Sequence, residues 1–181
     1  MLYFIIPAIV IIVLIPLFWW IGTSNGFKSK NIKIDEALSG IEVALTKRYD
    51  MLTKLLDVAK GFAAHENELF TQVIKLRRGM SVEELNQASG QMDALTARIN
   101  AVAEGYPTLR SAEIFLELQA GIRDSETHLQ AARRLYNSNV TLFNTAIALF
   151  PSSVVAKSQA LSPKDFFAAE ESKRADVQMK F

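Results

Sequence analysis

Cysteine is absent from this chain of 181 residues, and histidine occurs only twice. The absence of cysteine excludes disulfide bonds, thiol catalysis and cysteine-ligated metals, and it fits a reducing or an oxidising compartment equally well. The formal net charge is only +1, so no strong global field attracts nucleic acid, which we do not expect as a partner. Segments with the alternating pattern of a β-strand are also absent from the sequence.

Charged side chains are missing from the first 27 residues. The stretch LYFIIPAIVIIVLIPLFWWI supplies about 20 apolar residues, enough to cross roughly 30 Å of bilayer hydrocarbon as a helix. A cleaved signal peptide is the alternative, but the stretch lacks a basic start and a small-residue cleavage site. We therefore predict a transmembrane anchor over residues 1–22 that contacts the lipid bilayer, with Trp19 and Trp20 at the membrane interface.

Lysines follow the anchor, whereas no basic residue precedes it. The stretch GTSNG at positions 22–26 is polar and flanked by glycines, so we predict a linker over residues 23–31. Lys28 and Lys30 should lie at the membrane interface, and Lys33 follows them. By the positive-inside rule, this asymmetry places the N-terminus outside and the C-terminal body in the cytoplasm.

After the linker, apolar residues recur at alternating spacings of four and three, from Ile34 to Leu76. This spacing is typical of the buried seam of a heptad helix, and it predicts a first body helix over residues 32–78. Two charged residues interrupt the seam, Arg48 and Glu66. Gly79 then ends the helix.

Three further helices are predicted from local signals. Ser81 and Glu84 form a capping box that opens a helix over residues 82–103, and a third helix covers residues 112–150. A short last helix begins at Ser162, after a connection without periodicity. The fold class is therefore all-α: a single N-terminal transmembrane helix followed by an antiparallel four-helix bundle of long helices over residues 32–181.

The two seam charges lie about 27 Å apart if they share one helix, so each needs a partner on another helix. The simple interpretation is a pair of buried polar residues that fix the register of the bundle. The alternative is a polar ligand site in the bundle core. The candidate partners are Glu126 or Asp124 for Arg48, and Arg133 or Arg134 for Glu66.

Metal chemistry is the other question that the sequence raises, because His65 and Glu66 begin the zinc-protease pattern H-E-x-x-H. The second histidine is missing, since Leu69 stands in its place. The Glu-x-x-His pairs of di-iron bundles are also missing, because Phe62 and Ser125 precede the two histidines by three residues. We therefore predict no metal site, no catalytic residues, no cofactor and no enzymatic activity.

Three stretches are long enough to support a resemblance: RYDMLTKLLDVAKGFAAHE (48–66), AEGYPTLRSAEIFLELQ (103–119) and ARRLYNSNVTLFNTAIALFP (132–151). The chain resembles LemA-family proteins along nearly its whole length. This resemblance implies a bacterial membrane protein with one N-terminal span and a four-helix bundle, here placed in the inner membrane. It brings no established catalytic residues with it.

The lengths of the predicted helices suggest self-association. A first helix of about 70 Å is longer than a returning second helix of about 33 Å, so its membrane-proximal stripe lacks an obvious cover. That stripe consists of Ile34, Leu38, Ile41 and Leu45. We predict a homo-oligomer through this stripe, and a structural or scaffolding protein that contacts itself or other membrane proteins. The alternative function is a membrane-linked sensor with a ligand in the bundle core.

Overall fold

The computed structural model describes residues 2–62, 74, 76, 77 and 79–167, with side chains described from residue 10 onward. These residues form five helices and no strand, which confirms the all-α class within the described part of the chain. The helices are α1 (Leu2–Phe62), α2 (Val82–Gly105), α3 (Pro107–Arg110), α4 (Glu113–Ala148) and α5 (Ser152–Ser158).

Helix α1 is continuous from the apolar N-terminal segment into the body, and the residues predicted as a linker, 23–31, are helical within it. A glycine within a helix costs only about 1 kcal/mol relative to alanine, and tertiary contacts can offset that cost. Such contacts are present here. Phe27 is buried with its ring edge-to-face against Phe143, 6.4 Å between centroids, and Ser24 Oγ accepts a 2.7 Å hydrogen bond from Gln159 Nε2. At 61 residues, α1 is about 90 Å long.

Helix α4 runs antiparallel to α1 along most of its length. Lys47 near the middle of α1 pairs with Asp124 at 2.7 Å, while the Lys33 carbonyl accepts a 2.9 Å hydrogen bond from Asn139. Later residues of α4 thus face earlier residues of α1. The helices approach closely at Gly121, where an added Cβ would lie 3.3 Å from the sulfur of Met51.

Helix α2 runs parallel to α1, so the expectation that residues 82–103 return along the first helix is wrong. Leu85, at the start of α2, lies beside Thr46 in the middle of α1. Farther along, Gln119 near the start of α4 donates a 2.7 Å hydrogen bond to Asn100 near the end of α2. Because α2 is antiparallel to α4 and α4 is antiparallel to α1, α2 and α1 share a direction. The described residues therefore do not establish an antiparallel four-helix arrangement.

Most of the described positions in the heptad seams predicted from the sequence form the core. The buried seam residues are Ile34, Ile41, Leu45, Arg48, Leu52, Leu55 and Ala59 on α1, Leu85, Ala88, Met92, Leu95 and Ile99 on α2, and Phe115, Leu118, Ile122, Ser125, Leu129, Tyr136 and Phe143 on α4. Helix propensity alone would not hold such long helices in water, so this shared apolar interface stabilises them.

The uncovered stripe near the membrane was predicted wrongly. Ile34, Ile41 and Leu45 are buried within the chain, and Leu38 is partly buried against the same core. The cover is α4, which is 36 residues long and lies beside this part of α1. The prediction failed because it used helix lengths and did not place the third helix, here α4, beside the membrane-proximal part of α1. Self-association therefore needs another surface.

Helix ends show both a confirmed and a wrong prediction. The capping box is present: the Ser81 side chain accepts from the Glu84 N–H, and the Glu84 carboxylate accepts from the Ser81 N–H. The pKa of Glu84 is lowered by this Ser81 N–H and by Arg77. The first helix, predicted to reach residue 78, is described as helical only to Phe62, and residues 63–73 lie outside the described part of the chain.

The predicted last helix from Ser162 is not formed through Phe167, whereas residues 152–158, predicted as a connection, are helical. Two asparagines of α4 explain the extended chain. Asn144 exchanges two side-chain hydrogen bonds with the backbone of Lys164, at 2.8 and 2.9 Å, and Asn137 does the same with Phe167, at 2.8 and 3.0 Å. These bonds satisfy the backbone groups that a helix would otherwise pair internally.

Candidate functional site

A buried arginine joins the three long helices. The Arg48 side chain on α1 is only 4% exposed, and its guanidinium contacts the carboxylates of Asp93 on α2 and Glu126 on α4, the latter at 2.9 Å. The prediction that Glu126 is a partner of Arg48 is confirmed. The other candidate, Asp124, pairs instead with Lys47, which lowers the pKa of its carboxyl through hydrogen bonding and charge attraction.

Asp93 was not found by sequence reasoning. It follows Met92, a buried seam residue of α2, so it lies at the edge of the seam. Interhelical ion pairs of heptad helices usually come from the e and g positions, whereas the spacing of Ala88, Met92 and Leu95 makes Asp93 a b position. No sequence signal therefore pointed to Asp93.

A second buried arginine lies in the C-terminal half of α4. Arg133 donates a 2.6 Å hydrogen bond to Ser89 of α2, and its guanidinium lies 4.9 Å from the centre of the Phe167 ring. It thus holds α2 and the chain after α5 against α4. Glu66, the partner predicted for Arg133 or Arg134, lies outside the described residues, as does His65.

In both clusters other side chains of the protein contact the arginine guanidinium. Contacts of this kind between helices can fix the register of a helical bundle. In the described part of the chain, no three His, Asp or Glu side chains come together as a metal site. His128 lies on the surface, with Nε2 3.5 Å from Asp124 Oδ1. The cavity predicted at Arg48 by the sensor hypothesis does not appear among the three clefts described here, none of which Arg48 lines.

The largest of these clefts, about 550 Å³, lies at the membrane end of the body. Phe27, Lys28 and Ile32 of α1 form one wall, and Phe143 with the chain around Leu161 forms the other. On another side of α1, a second cleft includes Trp19, Gly22, Lys30, Ala146 and Ser152. Of the residues predicted at the membrane interface, Trp19, Lys28 and Lys30 line these clefts, where α4 and α5 end against α1, and Trp20 is 37% exposed.

Among the described residues, the N-terminal part of α1 is the one single helix that is long and apolar enough to cross a membrane. Its residues from Val10 to Ile21 carry exposed apolar side chains, unlike the core residues of α1. Helices α4 and α5 pass the same test only when taken together, across a bend of 92°.

These features describe an all-helical protein in which one apolar N-terminal helix continues into a packed helical body. Residues 37–181 match the model of the LemA family, so the chain belongs to that family. It is 28% identical over 180 residues to Protein LemA of Metamycoplasma hominis, covering 97% of this chain and 82% of the relative. It is also 21% identical to the magnetosome protein MamQ of Magnetospirillum gryphiswaldense, over 71% of this chain and 58% of that protein.

Proposed function

We propose that this protein is a membrane-anchored, non-enzymatic scaffold that positions a rigid helical body against the bilayer and pairs with further copies of itself. The observation that carries the proposal is the continuity of α1 from the apolar segment to Phe62. Since α4 packs along α1 and Arg48 ties α1 to both other long helices, the body cannot swing freely about the anchor. Such a molecule acts by presenting surfaces at a fixed height and orientation.

A surface suited to self-association lies on the outer face of α4. Leu135 and Leu142 lie seven residues apart on α4 and are 57% and 56% exposed, and Leu149, directly after the last residue of α4, is 59% exposed; we call these three residues the outer stripe. Seven-residue spacing places Leu135 and Leu142 on one side of the helix, as in the seam of a coiled coil. Copies anchored in one bilayer are already aligned and concentrated, so pairing along this stripe loses less entropy than it would in solution.

Charges on the outer stripe should dissociate the oligomer. We expect Leu135→Glu combined with Leu142→Glu to reduce the particle mass of the full chain in mild detergent to that of a monomer, because carboxylates would face each other across the interface. Both leucines are exposed, so the fold should be retained. The matched control is Val43→Glu, an equally exposed site on α1, which should leave the mass unchanged. A monomeric unchanged protein, or an oligomer indifferent to both glutamates, contradicts the self-association.

For location, we propose the inner membrane of a bacterium, with the N-terminus outside and the body in the cytoplasm. The support is the group Lys28, Lys30 and Lys33 directly after the apolar segment. A cysteine introduced by Ile114→Cys, the sole thiol of the chain, should resist a membrane-impermeant maleimide in intact spheroplasts and react after lysis. Reaction before lysis reverses the orientation.

A further inference from the structure

The corner between α4 and α5 lies at the level where the apolar segment of α1 ends. Ala146 and Ser152, on either side of the corner, share a cleft with Trp19 and Gly22. The hydrogen bond from Gln159 to Ser24 fixes the far end of α5 at the same level. The corner is therefore beside the turns of α1 where a membrane-spanning helix leaves the hydrocarbon.

Helix α5 lies across this level instead of along α1. Its axis is bent by 92° from that of α4, and α4 runs along α1. If α1 crosses a bilayer near its normal, α5 lies roughly in the plane of the membrane surface. One side of α5 is occupied by the body, since Val155 and Ala156 are buried.

The other side of the corner is apolar and open. Phe150 is 83% exposed and Val154 is 50% exposed; these two residues are here called the corner pair. Exposing these apolar side chains to water costs about 25 cal/mol of free energy for each Å² of apolar surface. The hydropathy of α4 and α5 together reaches the level of a membrane span, although the bend and the packing of α4 on α1 keep them from crossing.

We infer that the corner pair inserts into the headgroup and upper acyl region of the same bilayer that holds α1. Aromatic and aliphatic side chains on a short element parallel to the surface are typical of interfacial binding. Lys157, exposed on α5, can then extend its ammonium to lipid headgroups. The inference rests on the proposed membrane anchoring, and it gives the body a second contact with lipid, which fixes its rotation about α1.

The test uses the natural absence of cysteine. The full chain carrying Val154→Cys is compared with Ile114→Cys, which is similarly exposed at 49% but lies at the opposite end of α4. In lipid vesicles, the thiol at 154 should react with a maleimide at least about tenfold more slowly, because burial out of water raises its pKa and one unit lowers the thiolate fraction tenfold. A bimane label at 154, and not at 114, should be quenched by lipids brominated on their acyl chains.

Four outcomes separate the possibilities. Slow reaction at 154 that does not change with the protein-to-lipid ratio, together with quenching, supports lipid contact. Protection that disappears as the protein is diluted in lipid identifies a second copy as the occupant and overturns the inference. Equal reaction rates at 154 and 114, with the protein retained in vesicles after an alkaline carbonate wash, overturn the inference alone. Loss of the protein in that wash overturns the membrane anchoring, and the inference with it.

Discussion

Replacing Arg48 with alanine should lower the free energy of unfolding by about 3 kcal/mol. The change removes the guanidinium between Asp93 and Glu126 and leaves two carboxylates facing each other. Those carboxylates are 31% and 26% exposed, so water can partly compensate, and we expect the lower end of the range for broken buried pairs. The measurement is urea unfolding of the full chain in detergent, followed by helical circular dichroism.

The neighbouring Lys47 provides a matched control. Its pair with Asp124 also joins α1 to α4, but both side chains are about half exposed, so Lys47→Ala should change stability by less than about 1 kcal/mol. A triple variant with Arg48→Met, Asp93→Leu and Glu126→Leu should recover much of the loss, because apolar residues can replace a buried ion cluster. An Arg48→Ala variant as stable as Lys47→Ala would show that the cluster does not hold the three helices together.

The three long helices were predictable because their signals are local. Heptad spacing identified the buried faces of α1, α2 and α4, since a period near 3.6 residues places such positions on one side of a helix. The capping box at Ser81 and Glu84 fixed the start of α2, because both partners lie within four residues. Family membership was predictable for the same reason, as continuous stretches of residues carry it.

The wrong predictions concern contacts between residues that are far apart in the sequence. The polar stretch at residues 22–26 resembles a joint between helices when only the sequence is considered. In the structure α4 and α5 pack against this part of α1, as the contact of Phe27 with Phe143 and the hydrogen bond from Gln159 to Ser24 show. The extended chain near Lys164 likewise depends on Asn144. The direction of α2 was missed because the prediction assumed that consecutive helices run antiparallel. That arrangement is expected of helices joined by a short turn, whereas residues 63–81 separate α1 from α2.

The candidate site was predicted in part. A charge on an apolar seam must be paired, which identified Arg48 and led to Glu126. Asp93 was missed because its heptad position does not predict an interhelical ion pair, and its contact with Arg48 depends on α2 lying beside α1. No local sequence pattern identified the corner of α4 and α5, because its role depends on where it packs along α1.

Leu45 distinguishes the observed packing from the uncovered stripe expected from helix lengths. In the structure Leu45 is 0% exposed beneath α4, whereas Val43, two residues earlier, is 67% exposed. Leu45→Ala should therefore cost about 2–5 kcal/mol in unfolding free energy, through lost burial and the cavity left behind. Val43→Ala should cost less than about 0.5 kcal/mol.

The particle mass and the stability at different protein concentrations test whether Leu45 packs within its own chain. If the residue packs within its own chain, Leu45→Ala lowers stability to the same extent at every protein concentration and leaves the oligomer intact while the chain remains folded. If it instead faced a second copy, the loss would shrink on dilution, because the stability that association adds to the unchanged protein falls as the protein concentration falls. A concentration-dependent loss would restore the α1 stripe as the interface between copies, in place of the outer stripe of α4.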